Sequence, residues 1–128
     1  MESILTEETI TLTVPASLEF VRIVRLTASG VASRLGFDIE DIEDMRVAVD
    51  ELASIVVENA LPADLQVVFT VRDGVLRIEG RAPERPNGDP KVEELTGQIL
   101  AAVVDEYHVV VENGMVCFAC SRRLPETA

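Results

Sequence analysis

The chain has no tryptophan, a single histidine and only two cysteines, and each scarcity removes a class of function. Cys117 and Cys120 sit three residues apart in an apolar stretch that reads as a strand. An odd spacing puts their side chains on opposite faces, which disfavours both a disulfide between them and a shared metal. A zinc site would need further ligands nearby, and the one histidine, His108, reads as a sheet residue. Long apolar runs are also missing. Ile99 to Val104, as long as any in the chain, falls far short of the roughly 20 residues that a helix needs to cross a bilayer. The acidic N-terminus lacks the basic start and apolar core of a signal peptide, so a soluble cytoplasmic protein is expected. Positive charge is scarce as well: 11 Lys and Arg against 23 Asp and Glu give a net charge of -12. Phosphate backbones and anionic lipid surfaces would repel such a molecule, so neither nucleic acid nor membrane is an expected partner.

What remains is enough for one domain. With 128 residues, 48% of them hydrophobic, the chain can build a single core, and residues 1–128 are read as one domain with its core at about 8–124. Thr9 to Val14 alternates and is closed by Pro15, as in a partly exposed or edge strand. Leu18, Val21, Val24, Ala28, Val31 and Leu35 then recur with the helical period, and Gly36 ends the pattern. A second helix begins at an Asp38 cap with acidic residues in its first turn. Its apolar stripe is Ile42, Met45, Val49, Leu52 and Val56, and Pro62 stops it. Gln66–Val71 and Val75–Glu79 flank Asp73-Gly74; Tyr107–Glu112 and Met115–Cys120 flank Asn113-Gly114. Both read as hairpins with two-residue turns. Between them the proline-rich segment Arg81–Pro90 predicts a loop, and Val92–Val104 a third helix. This order predicts an α+β fold: a two-layer sandwich with helices on one face of a mixed, mostly antiparallel sheet.

The stretch Val14-Pro-Ala-Ser-Leu-Glu-Phe-Val-Arg-Ile-Val-Arg25, then Arg34-Leu-Gly-Phe37, then Ile42-Glu-Asp-Met-Arg-Val-Ala-Val-Asp-Glu51 resembles the anti-sigma factor serine kinases, of the histidine-kinase-like ATPase (GHKL) superfamily. The likeness is one of layout and covers most of residues 8–124, including Leu95–Tyr107 and the last hairpin. It implies a homodimer through the first strand and first helix. It also implies partnership with a sigma factor and phosphorylation of a serine on an anti-anti-sigma antagonist of the STAS type, with ATP and magnesium as cofactors. Glu51 stands where the family carries the carboxylate that acts as base. The family's magnesium-binding asparagine lies four residues on, on the same helical face, so that both groups reach one phosphate. Here that position is Ile55, which offers a hard cation no oxygen. Ala82 occupies the place of the adenine-reading aspartate, and Glu84 lies near the first glycine of the next motif. The glycines of the last motif survive as Gly88 and Gly97. Arg25 falls where the family contacts both protein partners, with Arg22 three residues before it.

Two functional readings follow from these residues. One is a degenerate member that works by affinity alone, sequestering a sigma factor and being countered by the antagonist, with no cofactor. The other is a working serine/threonine protein kinase in which other groups replace the missing ones.

Overall fold

A computed structural model describes residues 7–126. Five strands and three helices follow one another as β1 (Glu8–Pro15), α1 (Leu18–Arg34), α2 (Ile39–Glu58), β2 (Asp64–Arg72), β3 (Val75–Pro83), α3 (Glu94–Val103), β4 (Glu106–Glu112) and β5 (Met115–Arg123). The strands form one sheet in the order β1-β2-β3-β5-β4. The expected mixed sheet is corrected in one respect, because every pairing is antiparallel. α1 and α2 form a helical hairpin between β1 and β2, so the chain returns beside β1 in the opposite direction. No described helix is long and apolar enough to cross a membrane.

The turns form as their residues require. Asp73 and Gly74 have φ of 54° and 74°, and Asn113 and Gly114 have 52° and 77°. These left-handed pairs match the twist of a tight hairpin, and Asp, Asn and Gly tolerate them best. The Asp38 side chain accepts from the Asp41 amide at 2.8 Å and so caps α2. Along α2, Met45, Ala48, Val49, Leu52, Ala53 and Val56 are fully buried against the sheet and α1. On α1 the buried stripe is Val21, Val24, Ala28 and Ala32. Leu18, expected to join it, is 53% exposed because it opens the helix before the first buried turn.

Two further expectations are corrected. Regular structure persists into the proline-rich segment: β3 runs on through Arg81 and Ala82 to Pro83, paired with Cys117, Val116 and Met115 of β5. A proline at a strand's last position forfeits only one donor. α3 starts at Glu94 rather than Val92, since the preceding Glu93 is extended and Val92, outside any regular element, packs against the core.

Arg122 of β5 joins three elements, donating to Asp41 and Asp44 of α2 and, at 2.8 Å, to the Val103 carbonyl that ends α3. Arg34 grips Glu8 with two bonds of 2.7 and 2.8 Å, which holds the Glu8 carboxyl below its ordinary range and ties the edge strand β1 to the end of α1. Gly80 of β3 faces Phe118 of β5 across the core side of the sheet. A Cβ there would stand 2.2 Å from a Phe118 ring carbon, so the ring fills the space that a side chain would take. Replacing Gly80 by Ala is therefore expected to cost about 2 kcal/mol in urea unfolding, with Phe118→Leu in the same background recovering part of it.

The cysteines are both free. Cys120 pairs with Ile78 and Tyr107 on the core face, while Cys117 lies on the opposite, helix-free face. Burial pushes the Cys120 thiol from 9.0 up to about 12. The folded protein thus keeps this proton where the unfolded chain loses it. Stability from this group is complete below about pH 9 and declines as pH rises towards about 12, so Cys120→Ala is expected to show a shallower loss of urea midpoint across that window.

Candidate functional site

α2 is two-faced, and the site lies on the side turned from the sheet. A groove of about 580 Å³ runs between this side and the segment that leads into α3. Its α2 wall carries Asp50, Glu51, Ser54, Ile55, Glu58 and Asn59; its other wall carries Asp89, Lys91, Glu93 and Thr96. Glu51 and Ile55 are one turn apart, as their spacing predicts, and both line the groove. Ala82 and Glu84 do not. Ala82 is completely buried in β3, and the Glu84 amide donates to the Gly114 carbonyl at 2.9 Å while its backbone bridges Ala60.

Charge in the groove is one-sided. Asp50, Glu51, Glu58, Asp89 and Glu93 face a single lysine, Lys91, whose ammonium lies 3.2 Å from Asp89. Asp50 is also engaged from outside, accepting from Arg25 of α1 at 2.7 Å. Arg25 is thus a half-buried link between two helices with its side chain 27% exposed, whereas Arg22 is exposed. Both surviving glycines have packing reasons. A Cβ on Gly97 would meet the Tyr107 hydroxyl at 3.2 Å, and one on Gly88 would meet the Arg85 carbonyl oxygen at 3.1 Å.

Asn59 was not singled out by sequence reasoning. It falls two turns after Glu51 and one after Ile55, so the helical period alone could have marked it. Its side chain donates to the Ile55 carbonyl at 2.8 Å and accepts from the Asp89 amide at 3.0 Å. A second, larger concavity of about 670 Å³ lies across the helix-free face of the sheet, bordered by Gln66, Glu79, Arg81, His108, Glu112 and Cys117. No motif pointed to it, because a bare sheet face arises from pairing among distant strands.

No protein-family model matches the chain. It is 57% identical over 53 residues to the serine-protein kinase RsbW of Halalkalibacterium halodurans, covering 41% of this chain and 33% of that protein. It is 40% identical over 74 residues to the RsbW proteins of Bacillus thuringiensis and Bacillus cereus, covering 56% of this chain and 46% of theirs. The matched segment therefore spans a third to just under half of these relatives. Among solved structures, the RsbU and RsbW domains of a Mycobacterium tuberculosis protein superpose with a TM-score of 0.73 at 21% identity, over 94% of this chain and 34% of that one. That likeness establishes the fold. Over the matched segment the chain is similar to the RsbW serine-protein kinases.

For an RsbW-like chain the implied groups are ATP and magnesium, and the groove does not fit them. Five carboxylates against one lysine would repel a polyphosphate. Ile55 presents hydrocarbon where a magnesium ligand is required. Among the described residues no group of three or more His, Cys, Asp or Glu is placed to hold a metal ion. Gly97 lies within α3, and the first turn of that helix carries Glu94, a charge that competes with any anion for the positive end of the dipole.

The Arg25–Asp50 pair is partly exposed, and such pairs are worth about 0–1 kcal/mol. Arg25→Ala is accordingly expected to shift the urea midpoint little, which makes this variant a clean reporter of protein contacts.

Proposed function

We propose that this chain is an anti-sigma regulatory module that sequesters a sigma factor by affinity and is countered by an anti-anti-sigma antagonist of the STAS type, without kinase chemistry. The observation that carries this reading is the carboxylate-lined groove with Ile55 in its wall, where a kinase would need cationic and magnesium-binding groups. Arg25 and Arg22 on α1 form the partner-binding spot. Arg25 is positioned by Asp50, and a held guanidinium loses less entropy on binding a carboxylate than a free one. The homodimer forms through β1 and α1, whose surfaces expose Ile10, Ile23 and Leu26 at 41%, 41% and 59%. The protein acts in the cytoplasm.

The alternative, an ATP-dependent serine kinase acting on the antagonist, draws on Glu51 keeping its place on the groove wall. Thermal melts with millimolar ATP, with and without magnesium, separate the two. A bound nucleotide at a hundred times its dissociation constant would stabilise the protein by about 2.7 kcal/mol. The expected result is no magnesium-dependent rise in Tm and no phosphate transfer to an anti-anti-sigma protein. Sigma-factor affinity should be unchanged by nucleotide and weakened at least tenfold by Arg25→Ala with Arg22→Glu. A magnesium-dependent rise would establish the kinase reading and make Glu51→Gln the next variant.

A further inference from the structure

The groove's outer wall is fastened in place. Arg85 donates its amide to the Asn59 carbonyl at 2.9 Å, and its Nε to the Glu58 carbonyl at 2.9 Å. The Asp89 amide donates to Asn59 Oδ1 at 3.0 Å, while Asn59 Nδ2 donates back into α2 at Ile55. The Gly88 amide donates to the Arg85 carbonyl at 3.1 Å, and the Glu84 amide to Gly114. Pro86 and Pro90 have no amide to offer. Between residues 84 and 90, then, only the amide of Asn87 stands outside these bonds.

A phosphate cradle is made of free backbone N–H groups. Here the segment that would supply them spends them on α2 and on itself. We infer that residues 84–91 form a fixed strap, that Asn59 is the positioning residue that locks it to the last turn of α2, and that this lock closes the groove to nucleotides independently of Ile55. The inference rests on reading the groove as the counterpart of a nucleotide site, and it adds a cause: supplying a magnesium ligand alone does not reopen it. The strap also holds its shape without a partner, because each bond that fixes it comes from the chain itself.

Hydrogen exchange read by mass spectrometry on the full-length protein tests the lock, with Asn59→Ala, Asn59→Asp and Ile55→Asn compared with the parent. The amides of Arg85, Gly88 and Asp89 are expected to exchange slowly in the parent and in Ile55→Asn. In Asn59→Ala the Asp89 amide should exchange about five- to tenfold faster, as the loss of one bond of this kind predicts. Asn59→Asp keeps an acceptor for that amide and should retain its protection. Should Asn59→Ala fail to fold, Arg85→Ala, which removes only the exposed side chain's bond to Glu58, is expected to accelerate exchange of the same segment. Fast exchange in the parent, or unchanged exchange in both Asn59→Ala and Arg85→Ala, overturns the strap and leaves the proposed function standing. A magnesium–ATP-dependent rise in Tm for Ile55→Asn, with none in the parent, overturns the closing role alone; a rise in the parent sinks the proposed function as well.

Discussion

Burial of one face of α2 against the middle of the sheet is the constraint on which the other features depend. Met45, Val49, Leu52 and Val56 are removed completely from water, each contributing on the order of 1.5–3 kcal/mol. Such a stripe fixes the rotation of the helix about its axis. Once it is fixed, Asp50, Glu51, Ile55 and Asn59 must point the other way, and their grouping along one groove wall is a consequence of core packing. The Asp38 cap sets where the helix starts, and the Arg122 contacts with Asp41 and Asp44 set where that start sits over β5.

The same rotation keeps the groove-side positions out of the contact with the sheet. Ile55 is half-buried on the groove side and carries no share of the stripe, so the position can exchange an amide for hydrocarbon without disturbing the sheet contact. Two of the five carboxylates are offset by cations, Asp50 by Arg25 and Asp89 by Lys91, and the others are spread along two walls of the groove. The fold around the groove superposes on a solved structure with a TM-score of 0.73, while the groove wall itself carries five carboxylates, one lysine and Ile55.

Much of this was legible in the residues. The helical period of α2, the Asp-Gly and Asn-Gly turns and the opposite facing of Cys117 and Cys120 all follow from local rules, and each appears where its residues put it. Errors arose where a local rule met a tertiary partner. Prolines in Arg81–Pro90 suggested a loop, yet β5 supplied a pairing edge as far as Pro83. Gly88 and Gly97 read as remnants of a phosphate motif, yet their neighbours Arg85 and Tyr107 give each a packing reason. The hydrogen bond of Arg25 to Asp50, 25 residues away, has no signature in the chain and leaves the expected partner contact of Arg25 neither supported nor opposed.

The sequence by itself determined the elements, their order, the buried stripes and the identity of the side chains at the site, because helical and strand periods are set by the backbone within a few residues. Only the tertiary structure decided that every strand pairs antiparallel, that the acidic residues of α2 and of 89–93 face one another, and that Asn59 spends its side chain on the Asp89 amide. Those outcomes depend on which distant segments meet, and that is settled by packing the core as a whole, which no local pattern encodes.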